Sequence, residues 1–360
     1  MDTGRTVVTA YALRRWTLVL ALALGLITVP VVRDAWPVHA ATLDPARILG
    51  SAARPYHGYV QSSGLLGLPA LPRLQQVTDL LSGTTEMRAW FAAPDRWRVD
   101  VLGPGTETDF YRTPEAEFTW DYGDNQLTRI TGEPPVRLPR AADLTPPELV
   151  RRILGAAGGD RVEPLPAKRV AGIAAAGLRL IPSGPDTTVA HVDVWADPQG
   201  LPLQAEITAK GGARPVFVTR FLEIHFGTPD ERSLTPPAPR PGIGYTETEA
   251  PDLFRTLGQR RPATLPDTLA GHLLTHATPV AARYGSGLTA FVAIVLPDRL
   301  GAAAYRQISA YGQPLPGGDA ATITTGLLNL LAVRADDHTL LVAGLVGPGL
   351  LKRVATEVRR

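Results

Sequence analysis

The chain has 360 residues, of which 44% are hydrophobic and 19% charged, and its formal net charge is +2 at pH 7. This length is enough for two domains that each have a core. The 35 glycines and 34 prolines favour many turns and short strands over long helices. The chain has no cysteine, which excludes disulfides, thiolate nucleophiles and cysteine-ligated zinc or iron–sulfur centres.

The first 41 residues have the three parts of a secretory leader. Arg14 and Arg15 precede an apolar run from Trp16 to Val32, and small residues follow around Ala40. The run is long for a cleaved signal and just short of a comfortable membrane span, so it predicts either a cleaved leader or an uncleaved membrane anchor. In both cases the rest of the chain is predicted to be extracytoplasmic.

Removing the leader changes the charge of the chain. Residues 1–40 carry four arginines and two aspartates, so the remainder has a formal net charge of zero. A basic surface for nucleic acid is therefore not predicted.

After the leader, the pattern predicts a short helix at 43–53 and then a strand in YHGYVQSS. The following segment, GLLGLPALPRLQQVTDLLSG, is predicted to be irregular because glycines and prolines interrupt it. An apolar loop of this kind either folds over its own core or contacts an apolar partner. The residues predicted to make this contact are Leu65, Leu66, Leu68 and Leu71.

From Thr85 apolar and polar residues alternate, which predicts a series of antiparallel strands with one apolar face. Pro94 and Asp95 form the turn of the first hairpin. The apolar faces contain Met87, Ala89 and Phe91 in one strand, Trp97, Val99 and Val101 in the next, and Phe118, Trp120 and Tyr122 in a later one.

A short helix is predicted at 144–157, with prolines near its first turn, and four more strands then extend the sheet. The segment from Gly227 to Asp252 has no periodicity and is predicted to be a proline-rich linker. Beyond it, a hairpin, a helix ending at Gly312, a second hairpin turning at 336–337 and a closing helix predict a smaller α+β domain.

No short catalytic signature is present: the chain lacks HExxH, GxSxG, a P-loop and a strand-linked GxGxxG. His272 and His276 would share one face of a helix, but no carboxylate at a supporting spacing completes a zinc site. We predict no catalytic residues, no metal and no cofactor, and therefore no enzyme. A hydrolase of envelope glycans or lipids remains an alternative, because glycosidase carboxylates carry no short signature.

Two groups of strands resemble known families. AWFAAPDRWRVDV, followed by TDFYRTPEAEFTWDYGDNQLTRI, resembles the signature of the LolA-like half-barrel. RYGSGLTAFVAIVLP and TLLVAGLVGPGLLKRVATEVRR resemble the second domain of the RseB/MucB family, extracytoplasmic regulators of the envelope-stress sigma factor. The resemblance extends from Leu43 to the end of the chain.

The resemblance implies an α+β fold. A strongly curved antiparallel sheet would form an open half-barrel with helices plugging its concave side, and a smaller α+β domain would follow. The predicted organisation is a leader or anchor at 1–41, a LolA-like domain at 42–228, a linker at 229–250 and an RseB-like domain at 251–360.

The resemblance also implies partners. The concave face would bind an acyl lipid or a lipoprotein, and both domains would contact a single-pass membrane anti-sigma factor. The alternative is a carrier of lipids or lipoproteins in the cell envelope. The arginine-rich, lysine-poor composition resembles that of actinobacteria, for which delivery to a classical outer membrane would make little sense.

Ten apolar residues are predicted to line the concave face, where burial of an acyl chain would contribute about 25 cal/mol per Å². The same residues would equally form the core of a sheet covered by its own helices, so the sequence leaves a pocket and a core open. They are Met87, Phe91, Trp97, Val99, Phe118, Trp120, Leu203, Ile207, Val218 and Leu222.

Overall fold

The computed structural model describes residues 40, 42–51, 53–67, 75–132, 139–156, 159–250, 265–278, 281–335 and 338–359. The predicted leader apart from residue 40, Leu68, Leu71 and the predicted turn at 336–337 lie outside them. Within the described ranges, no helix is both long and apolar enough to cross a membrane.

Twelve strands form the first sheet. They are β1 (Tyr56–Gly64), β2 (Thr84–Ala93), β3 (Arg96–Gly103), β4 (Thr106–Arg112), β5 (Glu117–Asp121), β6 (Gln126–Thr131), β7 (Arg161–Val170), β8 (Ile173–Ile181), β9 (Val189–Ala196), β10 (Pro202–Ala209), β11 (Pro215–Phe226) and β12 (Gly244–Glu249). Their order is β12-β6-β5-β4-β3-β2-β1-β11-β10-β9-β8-β7. Neighbouring strands are antiparallel except β12, which is parallel to β6.

Helices on one face of this sheet create its core. They are α1 (Pro45–Gly50), α2 (Gln75–Ser82), a 3-10 turn (Ala141–Leu144) and α3 (Pro146–Ala156). Asp44 caps α1, since its carboxylate accepts a hydrogen bond from the Ala46 amide at 2.9 Å. The buried Thr219 hydroxyl donates to the Leu144 carbonyl at 2.6 Å and ties the 3-10 turn to β11. We call this side of the sheet the helix-covered face.

Helix α2 corrects the expectation that the whole segment from Gly64 to Gly83 is irregular. Glycines and prolines occupy its first half, whereas the second half, QQVTDLLS, forms the helix. Gly64 permits the close approach of α2 to β1, because a Cβ atom there would lie 2.0 Å from the Leu81 carbonyl oxygen.

The predicted linker also contains secondary structure. Residues 230–249, which we call the strap, include helical turn α4 (Glu231–Leu234) and strand β12. Leu234 is buried, and β12 pairs with β6 from Gly244 to Glu249. This corrects the expectation of a linker without regular structure. The strand was missed because all of its residues are exposed, so it has no apolar alternation.

Eight strands form the second sheet, in the order β13-β14-β15-β16-β20-β19-β18-β17. They are β13 (Thr268–Leu269), β14 (His272–Ala277), β15 (Ala281–Tyr284), β16 (Phe291–Pro297), β17 (Gln313–Pro314), β18 (Ala320–Ile323), β19 (Asn329–Arg334) and β20 (His338–Gly344). The two remaining helices are α5 (Asp298–Tyr311) and α6 (Pro348–Val358).

The second sheet is covered on both faces. Leu350, Leu351 and Val354 of α6 pack with Leu331 on one face, and Ile308 of α5 packs in a separate cluster on the other. This arrangement explains why β18 and β19 are apolar at successive positions: strands buried on both sides do not alternate.

The two sheets belong to one compact unit and contact each other through the loop that precedes β9. Thr187 forms a β-bridge with Val346. Asp186 accepts hydrogen bonds from Arg353 at 2.8 Å and shares one with His272 at 3.1 Å. His272 is therefore part of the contact between the sheets, and it lies on strand β14 rather than on a helix.

The predicted fold class is confirmed: the protein is α+β, with one large, curved, open sheet and a second smaller sheet.

Candidate functional site: a pocket on the helix-covered face

A cavity of about 390 Å³ opens on the helix-covered face, where β1 to β4 approach the 3-10 turn and α3. Its floor is apolar and aromatic, and its rim is charged. Floor residues include Tyr56, Ala89, Phe91, Trp97 and Val99, and rim residues include Arg112, Glu117, Asp143, Glu148, Arg151 and Arg152. The volume lies within the range of about 300–1,000 Å³ that is usual for small-ligand sites.

Strand register brings the floor together. Phe91 is opposite Tyr56 on one side and opposite Trp97 on the other. The Tyr56 and Phe91 rings stack with centroids 5.4 Å apart and an interplanar angle of 10°. Burial raises the pKa of the Tyr56 phenol, so this side chain is neutral at any physiological pH. The floor is therefore an uncharged aromatic surface.

Trp90 and Trp97 are both among the residues that line the cavity, but only the Trp97 ring belongs to the pocket floor. Trp90 is opposite Arg98 in the β2–β3 register and lies on the other face of the sheet. There the guanidinium carbon of Arg98 lies 4.9 Å from the Trp90 ring centroid, and that of Arg88 lies 5.8 Å away. Trp90 is therefore held by cation–π contacts.

Half of the rim comes from strand ends. Arg112 is opposite Trp97 in the β3–β4 register and opposite Glu117 in the β4–β5 register. Both charged residues therefore lie on the same face of the sheet as Trp97, next to the floor. Arg112 donates to Glu117 at 3.1 Å, and Arg140 forms a second ion pair with Glu117. Burial, and then the nearby charges of Arg112 and Arg152, lower the pKa of Arg140.

The other half of the rim comes from α3 and the 3-10 turn. Glu148 accepts hydrogen bonds from Arg151 at 2.7 and 2.9 Å and from Arg152 at 2.6 Å. Arg152 also reaches Asp143 at 2.9 Å. Counting Arg140, four arginines meet three carboxylates around the opening. An apolar floor below such a rim suits an amphipathic ligand whose chain enters and whose polar end stays at the mouth.

Six of the ten predicted lining residues lie on the helix-covered face: Met87, Phe91, Trp97, Val99, Leu203 and Ile207. Phe91, Trp97 and Val99 line the cavity. Met87 and Leu203 are fully buried in the core beside it, and Ile207 is also buried. For these three residues the structure shows packing against the protein's own helices.

The other four, Phe118, Trp120, Val218 and Leu222, lie on the opposite face, so the expectation that all ten share one face is wrong. Trp120 is opposite Asp109, and Val218 is opposite Glu206. Leu222 is 41% exposed. Alternation shows which residues of a strand share a face, but not which face of the sheet that is.

On the opposite face, Phe118 and Trp120 belong to a small separate core. They pack with Tyr111 and Leu127 from neighbouring strands and with Ile243 from the strap. Their role here is to hold the strap on the sheet.

The predicted apolar loop divides between core and surface. Leu66 is buried against the first core, whereas Leu65 is 73% exposed. The structure describes two of the four predicted loop leucines, Leu65 and Leu66, and of these only Leu65 is exposed to a partner.

Sequence reasoning missed Tyr56 and the whole rim. Tyr56 had a signal, because it precedes Gly58 and Val60 on the inward face of β1. The rim had none, since Glu117 and Glu148 come from segments 31 residues apart that only the folded chain brings together.

Three carboxylates also gather on the opposite face of β3 and β4. Oxygen atoms of Asp100, Glu107 and Asp109 all lie within 4.8 Å of one another, a donor set that a cation can use. Two guanidinium groups already contact these oxygens. Arg98 donates to both Asp100 oxygens at 2.5 and 2.9 Å, and Arg88 pairs with Glu107. The group is thus an ion network around two fully buried carboxylates, Asp100 and Asp109.

No protein-family model matches the chain, and no curated protein sequence matches it. Solved structures do resemble it. A chain of the Pseudomonas aeruginosa MucA/MucB complex is 18% identical, with 87% of this chain and 96% of that chain covered and a TM-score of 0.47. A putative outer membrane lipoprotein-sorting protein domain from Vibrio parahaemolyticus is 14% identical, with 53% and 94% covered and a TM-score of 0.24.

A LolA superfamily protein from Nitrosomonas europaea is 13% identical, with 55% of this chain and 99% of that chain covered and a TM-score of 0.25. At these identities and TM-scores nothing about function follows from the likeness. Both groups named from the strand motifs, the RseB/MucB family and the LolA-like proteins, are represented among these structures.

Proposed function

We propose that the protein is an extracytoplasmic sensor that binds an acyl lipid, or the acyl chains of a lipoprotein, in the pocket on the helix-covered face. In this role it regulates a sigma-factor stress response by binding a single-pass membrane anti-sigma factor. The observation that carries the proposal is the aromatic floor of Tyr56, Phe91 and Trp97 beneath a rim of arginines and carboxylates.

The energetics favour a chain with a polar end. Each methylene group that leaves water for the floor contributes about 0.8 kcal/mol. The rim charges remain at the opening, where they can contact a head group or solvent without burial of an unpaired charge. A wholly apolar ligand would contact only the floor, and a wholly polar ligand would contact only the rim.

The protein partner is proposed on different grounds. Residues 283–297 and 339–360 resemble the second domain of the RseB/MucB family, and these residues form β15, β16, β20 and α6 of the second sheet. The exposed Leu65 offers a further apolar contact on the first sheet. A carrier that binds the same ligand without an anti-sigma partner is the alternative.

Native mass spectrometry of the full chain, purified in a mild detergent, tests the ligand. The expected result is a bound species whose extra mass corresponds to an acylated molecule and which exchanges with an added C16 fatty acid. A protein that stays empty in the presence of the fatty acid contradicts the proposal, and turnover of an added envelope lipid or glycan would support a hydrolase.

Affinity purification of the full chain from its own membranes tests the partner. The sensor predicts a stoichiometric complex with a single-pass protein whose cytoplasmic part binds a sigma factor. A lipid-loaded protein that lacks this partner at equal expression would instead support the carrier.

A further inference from the structure

The outer face of β2, β3 and β4, opposite the pocket, buries an ion network with an excess of negative charge. Asp100 and Asp109 are directly opposite each other in the β3–β4 register, and both are fully buried. Glu107 lies beside them. Arg88 and Arg98 are the two cations of the network. With all three carboxylates ionised, one negative charge has no counterion.

One oxygen of the network lacks a donor. Oδ2 of Asp109 accepts hydrogen bonds from Arg98 at 2.9 Å and from Tyr111 at 3.1 Å, whereas Oδ1 is buried without a donor among the described residues. A buried carboxylate oxygen without a donor is costly. A proton shared between Asp109 and Glu107 removes both the missing hydrogen bond and the excess charge.

The titration of Asp109 agrees with this geometry. Burial, the facing carboxylate of Asp100 and a hydrogen bond with Glu107 raise the pKa of Asp109 to about 7, although Arg98 lowers it. Burial also raises the pKa of Asp100, whose carboxylate Arg98 holds in a bidentate pair.

The groups around Asp109 are Arg88 from β2, Arg98 and Asp100 from β3, Glu107 and Tyr111 from β4, and Tyr122 after β5. The strap adds Glu231, which pairs with Arg96 of β3.

The strap covers this part of the face. Arg98, which holds Asp100 and Asp109, also donates to the Ser233 carbonyl of the strap at 3.5 Å. Arg96 pairs with Glu231, and Ile243 packs against the cluster that contains Tyr111. The strap therefore covers the Arg98 side of the ion network, while the side chains of Arg88 and Glu107 remain 41% and 25% exposed.

We propose that Asp109 and Glu107 form a proton-operated latch for the strap. With the shared proton in place, the network is neutral and the strap lies closed on the sheet. Loss of the proton leaves an excess of negative charge beside the fully buried Asp100 and Asp109, and lifting of the strap lets more water hydrate it. The strap leads towards the second sheet, so the latch makes the packing of this segment depend on the pH outside the cytoplasm.

Hydrogen–deuterium exchange on the full chain between pH 5 and pH 8, corrected for intrinsic exchange, tests the latch. Reporters are strap amides bonded to the first sheet, such as Gly244 to Asn125 at 3.0 Å. The closed strap holds one more proton than the open strap. Strap protection should therefore fall by up to about tenfold per pH unit between pH 5 and pH 7 and level off above pH 7. Strap protection should stay below that of β10 amides, which report global unfolding, at every pH, so that the fall reports local opening of the strap.

Two variants sharpen the test. Asp109→Asn keeps the shape and cannot lose a proton, so strap protection should be independent of pH and exceed the wild-type value at pH 8 by about tenfold or more. Glu107→Gln removes the second carboxylate and should also flatten the profile, which preserves the test if the first variant misfolds. Asp95→Asn, on an exposed hairpin turn, is the matched control and should keep the wild-type curve.

A wild-type strap whose protection does not change between pH 5 and pH 8 overturns the latch, as does an unchanged slope in a folded Asp109→Asn or Glu107→Gln protein. A rise in wild-type strap protection on adding Mg²⁺ or Ca²⁺ at pH 8 would show that a metal cation, rather than a proton, neutralises the network, and this result would also overturn the latch. None of these outcomes depends on ligand binding in the pocket.

Discussion

Phe91 and Trp97 face each other across the β2–β3 hairpin on the helix-covered face, while Trp90 and Arg98 face each other one position away on the opposite face. The same hairpin thus supplies the aromatic floor of the pocket on one side and a cation–π contact above the buried ion network on the other. Substitutions on the helix-covered side of this hairpin are therefore expected to affect the pocket, and substitutions on the opposite side to affect the ion network.

Filling the pocket should abolish acyl binding while the fold remains. Ala89 lines the cavity and is 1% exposed, so Ala89→Phe places a ring in the space that a chain would occupy. We expect at least a tenfold loss of affinity for a fluorescent C16 fatty acid, with a stability cost of about 1–3 kcal/mol from overpacking. Leu222→Phe, on the exposed opposite face, is the control. Equal binding by both variants would place the chain elsewhere.

Leu203 was expected to contact the ligand, and its burial indicates a purely structural role. Leu203→Ala should lower the free energy of unfolding by about 2–5 kcal/mol, because it creates a cavity in a packed core. Leu222→Ala should change it by no more than about 0.5 kcal/mol. Urea denaturation measures both. A small effect for Leu203→Ala combined with weaker acyl binding would instead make Leu203 a ligand residue.

Asp109 should make stability fall as the pH rises. Its folded-state pKa of about 7 lies above the unfolded value of about 3.9, so the folded protein binds the extra proton between these two values. The proton's contribution to stability is fully present below about pH 4 and is lost progressively up to about pH 7. Above about pH 7 the Asp109 proton no longer contributes, so this term does not change with pH.

Asp109→Asn removes this titration, so its free energy of unfolding relative to wild type should increase from pH 4 to pH 7, by at most about 4 kcal/mol. Chemical denaturation at fixed pH values gives this difference, and the Asp95→Asn control should show no such trend. A difference that stays constant with pH would mean that Asp109 does not titrate in this range.

Asp186 should have the opposite pH dependence. Burial opposes its ionisation, but hydrogen bonds from Arg353 and His272 outweigh burial and lower the pKa of Asp186. Stability from this contact is therefore present above the unfolded value of about 3.9 and lost as the pH falls through the folded value.

Asp186→Asn should therefore destabilise the protein at pH 7, by about 1 kcal/mol for a partly exposed site, and less at pH 3. Thermal unfolding at the two pH values measures the change. Limited proteolysis near residues 182–188 should also become faster, because the loop would lose contacts with the second sheet. An equal effect at both pH values would show that the ion pairs contribute nothing there.

The first sheet illustrates how much of the fold is local. The alternation of Met87, Ala89 and Phe91, and of Trp97, Val99 and Val101, predicted the strands, because adjacent side chains of a strand point to opposite faces. The closing helix was predicted from Pro348 near its start and from the cations at its C-terminal end. Strand β12 had no such pattern, since an exposed edge strand is specified by its neighbour β6.

By itself, the sequence determined most of the strands, the apolar character of one face of many of them, and the absence of cysteine chemistry. These follow from composition and from the periodicity of neighbouring residues along the chain. Only the tertiary structure decided that Trp97 faces a pocket while Trp120 supports the strap, and that Glu117 and Glu148 share one rim. Pairing register and helix docking fix these relationships between residues far apart in the chain, and no local pattern encodes them.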